Sequence, residues 1–256
     1  MRTVPSSVSP HGLDQRQVGH RTVWERKKTI RLLYRDFHRQ LLENCPDGRV
    51  LDIGGGTAHI KEFRPDIVSA DILPFPGIDV VADAHRLPFP DQMFAGVVML
   101  DVLHHLERPI DFLSEASRVL RPGGRLAMME PAMTTLARRF YDRFHEEPVD
   151  MKADPFAAVE INPDRDPFDA NQAIPSLLFA TEPARRRLEQ TIPSLVVRSV
   201  DWLSLIAYPM SGGFQKWSLM PAALVAPTLA LERRVPVAMR RHLAFRMMVV
   251  LERRSP

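Results

Sequence analysis

The chain has 256 residues, 45% of them hydrophobic and 25% charged, which is the composition of an ordinary globular protein long enough to bury a sizeable core. The net charge is only +3, and the single cysteine, Cys45, excludes an intrachain disulfide and fits a reducing compartment. No apolar signal core follows Arg2, and no run of about 18 apolar residues occurs. We therefore expect a cytoplasmic protein with neither a signal peptide nor a membrane span.

The N-terminal region divides into a loose segment and a helical cap. Residues 1–18 hold prolines, serines and Gly12 without an apolar period, which predicts a flexible N-terminus. Apolar residues then recur at helical spacing from Val23 to Glu43, inside a predicted N-terminal helical cap over residues 19–48. The predicted apolar face of this helix consists of Val23, Ile30, Leu33, Phe37 and Leu41.

An apolar run with an acid and three glycines, residues 50–56, is the stretch that indicates a cofactor. Gly54, Gly55 and Gly56 follow a predicted buried strand, and such a turn lets a ligand approach the backbone closely. A phosphate-binding loop would continue with Gly-Lys-Ser or Gly-Lys-Thr, which is absent here. The acid Asp52 stands two residues before the first glycine and suits an ammonium or sulfonium better than a pyrophosphate.

Further acids and a Pro-Gly-Gly turn follow at regular intervals. Ile67–Ile72 predicts a strand with Asp71 at its end, and Val80–Phe89 contains Asp83 at the end of another. A fourth strand, Ala95–Leu100, precedes a segment with two histidines. Pro122-Gly123-Gly124 then leads into a fifth strand that ends at Glu130.

This series over residues 50–131 resembles the class I S-adenosylmethionine-dependent methyltransferases, in particular the type 11 group that acts on small molecules. Asp52, Gly54 and Gly56 match the family's first motif, whereas Ala58 replaces its last glycine. The resemblance implies an α/β, Rossmann-like doubly wound sheet of seven strands in the order 3-2-1-4-5-7-6, with the last strand antiparallel. It also implies S-adenosylmethionine as cofactor and S-adenosylhomocysteine as product.

The resemblance also assigns the cofactor contacts. Asp71 would accept the ribose hydroxyls, while Asp83 and the Ala84 amide would bind the adenine. The full predicted set is Asp52, Gly54, Gly55, Gly56, Asp71, Ile72, Asp83, Ala84, Leu100 and Asp101.

Methyl transfer to an alcohol or phenol also needs a proton acceptor near the methyl group. His104, His105 and Glu130 are the predicted catalytic candidates, although a structural role for one of the histidines stays open. The residues predicted to meet the substrate are Tyr34, His38, His145 and Tyr208. No metal site is predicted.

The C-terminal half adds two segments to what we interpret as one domain over residues 19–256. Five prolines and little periodicity predict a lid over residues 148–180, with a disordered insert as the alternative. Residues 208–240 are largely apolar and flanked by basic residues, and predict a cap segment. This segment could pack as a cap, form a homodimer interface or meet a membrane surface. Strand 6 within Leu195–Ile206 and a final strand at Phe245–Leu251 complete the sheet.

The pattern favours O-methylation of a small hydrophobic acceptor, either a natural product or a lipid-linked sugar. No Asp/Asn-Pro-Pro-aromatic motif or appended nucleic-acid module is present, so we expect no nucleic-acid partner. Two alternatives remain: a family member that binds the cofactor but catalyses a reaction other than methylation, and a membrane-surface or partner-binding protein on this fold.

Overall fold

A computed structural model describes residues 12–144, 147–160, 162 and 164–255. Within them a seven-stranded sheet has the order β3-β2-β1-β4-β5-β7-β6, which confirms the predicted topology. The strands are β1 Val50–Ile53, β2 Val68–Asp71, β3 Val80–Val81, β4 Phe94–Leu100, β5 Leu120–Pro131, β6 Leu195–Leu203 and β7 Arg246–Arg253.

The carboxyl ends of β1 to β5 lie at the same edge of the sheet. β1 pairs in parallel with β2 and β4, β2 with β3, and β4 with β5. β7 runs antiparallel to both β5 and β6, with Arg246 opposite Pro131 on one side and Leu203 on the other. The first residue of β7 therefore lies at the carboxyl edge of the parallel strands.

Side chains of the central strands alternate between two apolar layers, as the period of two in a strand requires. Val97 and Met99 of β4 pack in one layer, while Val98 packs in the other. Both faces of the sheet are thus covered, which explains why these strands read as nearly continuous apolar runs.

Two helices, rather than one, form the N-terminal cap. Asp14 caps α1 (Gln15–Arg26), and α2 (Lys28–Glu43) follows after a break at Lys27, whose φ of −101° and ψ of 90° leave the helical region. α2 buries the predicted face through Ile30, Leu33, Phe37 and Leu41. Val23 belongs to the separate α1. The helical cap begins at Gln15, so the predicted flexible segment is too long by at least four residues, and residues 1–11 lie outside the described part.

The remaining helices are α3 Pro109–Val119, α4 Thr135–Phe144, α5 Ile174–Phe179, α6 Glu182–Thr191, α7 Ala207–Ser211, α8 Ala222–Glu232 and α9 Val237–Leu243. Short 3₁₀ turns cover His59–Glu62 and Leu103–His105. Ile174, Leu178 and Phe179 of α5 are buried in the same layer as β4, so the end of the predicted lid, from residue 173 to 180, is part of the core. None of the helices in the described ranges is long and apolar enough to cross a membrane.

Candidate active site

A cavity of about 1130 Å³ opens at the carboxyl edge of the parallel strands. Its walls come from the glycine turn, the ends of β2 to β5, the N-terminal helices, the lid and the cap segment. This volume slightly exceeds the roughly 300–1,000 Å³ of typical small-molecule sites. The cavity therefore has room for a cofactor and an acceptor side by side.

The turn after β1 needs glycine at all three positions, since a Cβ on Gly55 would lie 2.0 Å from Ser69 Oγ. Gly54 has φ +68°, and a Cβ there would lie 2.2 Å from Val102 Cγ2. Gly56 has φ +54°, and the atom nearest to its Cβ position is the Gly54 carbonyl oxygen at 3.9 Å. Gly56 thus presents bare backbone, as a cradle for a closely bound ligand requires. Gly55 lines the cavity between them.

All four predicted cofactor acids, Asp52, Asp71, Asp83 and Asp101, line this cavity. Asp52 is buried, accepts a hydrogen bond from Ser69 Oγ at 2.8 Å, and has its pKa raised to about 7 by burial. A cationic group of a ligand would stabilise its charged form. Asp71 accepts from the backbone N–H of Gly56 and of Leu73, both at 2.8 Å, and burial raises its pKa. Asp71 therefore fastens the glycine turn while its carboxylate faces the cavity.

Two residues predicted to contact adenine, Ile72 and Asp83, lie in an exposed part of the cavity wall. The Asp83 carboxylate is half exposed and accepts hydrogen bonds from the backbone and the ring of His85 at 2.9 and 2.6 Å. Ala84 is buried beside it, and Ile72 is 53% exposed at the cavity. An apolar side chain left open here suits the face of an aromatic ring.

Asp101 belongs to a buried polar cluster at the end of β4. Arg246 Nη1 and Nη2 donate to its two carboxylate oxygens at 2.7 and 2.6 Å, and Tyr34 Oη donates at 3.0 Å. Burial opposes the charge on Asp101, but Arg246 outweighs it and lowers the Asp101 pKa. Its φ of +58° is the left-handed region. Leu100 lines the cavity next to it.

His104 and Glu130 form a buried pair beside this cluster. His104 Nδ1 lies 2.7 Å from Glu130 Oε2, while Glu130 Oε1 accepts the N–H groups of Val102 and Leu103. Burial disfavours a charged imidazole, but the Glu130 carboxylate outweighs it and raises the His104 pKa. His104 lines the cavity, whereas Glu130 is fully buried beneath it. Glu130 does not line the cavity itself but contacts His104, and its catalytic role stays a prediction.

His105 differs from its neighbour. Burial, aided by the nearby His104, lowers the His105 pKa to about 3. His105 Nδ1 lies 3.3 Å from the Asp169 carbonyl oxygen of the lid. One nitrogen or oxygen atom from each of His104, His105 and Glu147 lies within 4.8 Å of the others, a spacing compatible with a metal ion. The absence of a metal stays a prediction.

Three of the predicted substrate residues line the same cavity, and His145 lies outside the described residues. Arg246 Cζ sits 4.1 Å from the centroid of the Tyr208 ring. Burial lowers the His38 pKa to about 3, and His38 Nδ1 has no hydrogen-bond partner among the described residues. Cys45 does not belong to the cavity wall, and burial raises its pKa to about 12.

Sequence reasoning missed several residues on the wall. Arg246 could have been found, because an antiparallel last strand puts its first residue at the cofactor edge. Gln17 and Gln172 are buried, and each has a side-chain oxygen without a hydrogen-bond partner in the described part of the chain. Both lie in segments without an apolar period, which offered no signal.

The N-terminal helices tie the lid and cap segments together over the cavity. Arg16 donates to Asp166 of the lid at 2.9 and 2.7 Å. Lys27 Nζ donates to the carbonyl oxygens of Gly213, Gln215 and Trp217 at 2.7 to 2.9 Å. The Lys27 side chain, at the break between α1 and α2, thus holds residues 212–219, which we call the cap loop.

Comparison with known proteins agrees with this geometry. Residues 50–128 match a family model described as a methyltransferase domain. A ubiquinone/menaquinone biosynthesis C-methyltransferase, UbiE, from Ectopseudomonas mendocina is 34% identical over 138 residues, 44% of this chain and 54% of that protein. The chain spans only 26 to 54% of the length of the first curated relatives that it matches.

Two solved structures share the fold. An S-adenosylmethionine-dependent methyltransferase from Thermotoga maritima superposes with a TM-score of 0.53 at 16% identity, covering 91% of this chain and 94% of that one. The [4+2]-cyclase SpnF gives 0.50 at 16% identity, covering 86% and 81%. The domain match over residues 50–128 and the sheet order show a methyltransferase domain with the fold of the class I S-adenosylmethionine-dependent methyltransferases. S-adenosylmethionine is the cofactor of that class.

Proposed function

We propose that the chain transfers a methyl group from S-adenosylmethionine to an oxygen of a small hydrophobic acceptor, a natural product or a lipid-linked sugar. The observation that carries the choice of oxygen is the His104–Glu130 pair, with the raised His104 pKa and the imidazole on the cavity wall. A hydroxyl must lose its proton as it is methylated, and a histidine oriented by a carboxylate is suited to accept it.

The cofactor would lie across the glycine turn. Asp71 would accept the ribose hydroxyls, Asp83 and the Ala84 amide would bind adenine, and Ile72 would cover the ring. The S-adenosylmethionine sulfonium supplies the methyl group. Asp52, Leu100 and Asp101 would surround the methionine end, where the two carboxylates suit positive charge.

The acceptor would enter between the lid and the cap. Tyr34, His38, Tyr208 and the predicted His145 would meet it. Gln17 and Gln172 bring to the same cavity buried amide oxygens that have no hydrogen-bond partner among the described residues. Buried polar groups favour a ligand that completes their hydrogen bonds. Aromatic side chains such as Phe168 and Phe214 stand among many polar groups on the wall, which suits a molecule with both apolar parts and hydroxyls.

The experiment is transfer of a labelled methyl group from S-adenosylmethionine to a panel of hydroxylated lipids and polyketide-type scaffolds. Label in an acceptor's O-methyl group supports the proposal. The expectation of no metal predicts the same rate with EDTA present. Cofactor binding without label transfer to any acceptor would instead favour the alternative of a non-methylating reaction. The fold similarity to a [4+2]-cyclase is the reason to retain this alternative.

A further inference from the structure

An exposed apolar surface lies on the cap segment, and one of its residues, Trp217, also lines the cavity. Trp217, Leu219, Leu224 and Leu231 are 49, 69, 51 and 60% exposed, and Met210 is 38% exposed. We call these five residues the cap surface. The Met210 carbonyl accepts the Leu219 N–H, and the Trp217 ring lies over Gly212, so the loop residues are neighbours.

Helix α8 contributes Leu224 and Leu231 to this surface. Its inner face buries Val225, Leu229 and Glu232, and it packs on α2. Leu224 and Leu231 are seven residues apart and share one side of the helix, about 110° around from its buried face. The helix therefore has buried apolar residues on its inner face and half-exposed leucines on a neighbouring face.

Basic residues outnumber acids in this segment, although Arg233 pairs with Asp36 of α2. Residues 205–244 contain Lys216, Arg233, Arg234, Arg240 and Arg241 against a single acid, Glu232. Glu232 is 5% exposed and its carboxylate accepts the N–H groups of Ile206 and Ala207. The segment thus combines exposed aliphatic side chains, a tryptophan and basic residues, with no exposed acid.

We propose that the cap surface docks on an anionic phospholipid membrane. Aliphatic and tryptophan side chains favour the headgroup boundary, and flanking Lys and Arg favour anionic lipid. A twofold contact between two copies would bring the same basic residues face to face without an acid of the segment to pair with them, so it fits the charge pattern less well.

Docking would also help an acceptor in the membrane to reach the cavity. Pro209, Phe214 and Trp217 of the same segment line its wall. An acceptor embedded in the lipid would therefore reach the cavity beside the surface that meets the membrane. This part rests on the proposed function, whereas the docking itself does not.

The test is flotation of the full chain with vesicles of equal parts phosphatidylglycerol and phosphatidylcholine, against phosphatidylcholine alone. Binding to the anionic vesicles is expected, with a blue shift of tryptophan fluorescence. Trp217 reports this shift because Trp24 and Trp202 are only 2 and 5% exposed. Trp217→Phe should remove the shift.

Variants separate the two contributions. Lys216→Gln with Arg234→Gln should weaken vesicle binding roughly 25-fold, since each basic residue contributes about fivefold. Leu219→Ser with Leu224→Ser should weaken it by at least about tenfold. Leu136→Ser, at a 41% exposed leucine of α4, is the matched control. All variants should bind S-adenosylhomocysteine as the wild type does, which verifies folding.

Equal binding to both kinds of vesicle, or no binding by the wild type, would overturn the proposal. So would a concentration-dependent dimer in sedimentation velocity that the paired leucine variant disrupts, because the cap surface would then be a subunit interface. Neither outcome depends on methyl transfer, so failure of the docking proposal is distinct from failure of the proposed reaction.

Discussion

Ala58, at the position where the family has its last glycine, has a left-handed backbone with φ +57° and ψ 32°. This conformation costs a residue with a Cβ roughly 1–2 kcal/mol. Glycine avoids that cost, but its greater freedom in the unfolded chain lowers stability by about 0.4–1 kcal/mol relative to alanine. Ala58→Gly should therefore raise the free energy of unfolding by about 0.5–1 kcal/mol in urea titrations.

The control for that substitution is Ala230→Gly, at an exposed position of α8, which should lower stability by about 0.5–1 kcal/mol. A loss of stability in both variants would show that the backbone at Ala58 is not strained.

The two adjacent histidines should differ in function because their surroundings differ. His104→Gln should lower kcat by about 10²- to 10⁴-fold, whereas His105→Gln should have a much smaller effect, since the His105 pKa of about 3 leaves it a weak base. The His104 pKa is raised above its ordinary 6.5, and the neutral form is the base. Activity should therefore fall as the pH drops through a value above 6.5.

Rates against pH for the wild type and the two variants check this assignment, and S-adenosylhomocysteine binding verifies that both variants fold. An unchanged acid limb in His104→Gln, or equal losses in the two variants, would assign the proton transfer elsewhere.

At the scale of elements, the ion pair between Asp101 and Arg246 joins the end of β4 to the start of β7. Arg246 is 2% exposed, so its removal would leave the Asp101 carboxylate partly buried without its cation. Arg246→Met should lower the free energy of unfolding by about 3–5 kcal/mol. The double variant with Asp101→Asn should recover part of this loss in chemical denaturation.

No recovery in the double variant would mean that packing of Arg246 against Tyr208 and Phe37, rather than the charge on Asp101, explains the loss.

The sheet was predictable because its strands carry strong local signals. β1, β2 and β4 are apolar runs ended by an acid or a glycine turn, and their order follows from the family pattern. α5 was interpreted as lid because Ile174 to Phe179 is too short to show a helical period and follows several prolines. The break at Lys27 was hidden for another reason: its partners lie 186 to 190 residues further along the chain.

Motifs predicted the residues on the cofactor side of the cavity, whereas on the acceptor side the sequence predicted Tyr34, His38 and Tyr208 but not Gln17 or Gln172. Gly56 lies in the glycine turn after β1, and Asp71 lies at the end of β2. Both positions belong to motifs that predict their geometry. Gln17 and Gln172 come from α1 and the lid, and only tertiary packing brings them to one cavity. Glu130 was found by its place at a strand end, but the sequence could not tell that it would be buried beneath His104.

At the scale of the whole molecule, the cap loop is held to the N-terminal helices by the Lys27 side chain and by His20, whose ring stacks on Phe214 at 4.7 Å. Lys27→Met removes three charge-assisted hydrogen bonds to carbonyl oxygens of Gly213, Gln215 and Trp217. Amide hydrogen exchange over residues 212–219 should speed up roughly tenfold or more, because such bonds contribute about 1.5–3 kcal/mol each at most.

Lys28→Met, at the exposed neighbouring position, should leave exchange unchanged. S-adenosylhomocysteine affinity should stay the same in both variants, since the cap loop lies on the acceptor side. Equal exchange in the two variants would show that the loop is held by its own packing.

The cofactor site is tested most directly by calorimetric titration of S-adenosylhomocysteine into the wild type, Asp71→Asn and Asp66→Asn. Asp66→Asn is the control, because the Asp66 side chain is exposed on the surface. We predict binding by the wild type and the control, and a loss of roughly 10- to 150-fold in Asp71→Asn, the value of one charge-assisted contact to the ribose. No binding by folded wild type, or equal affinity in Asp71→Asn, would contradict the cofactor site described here.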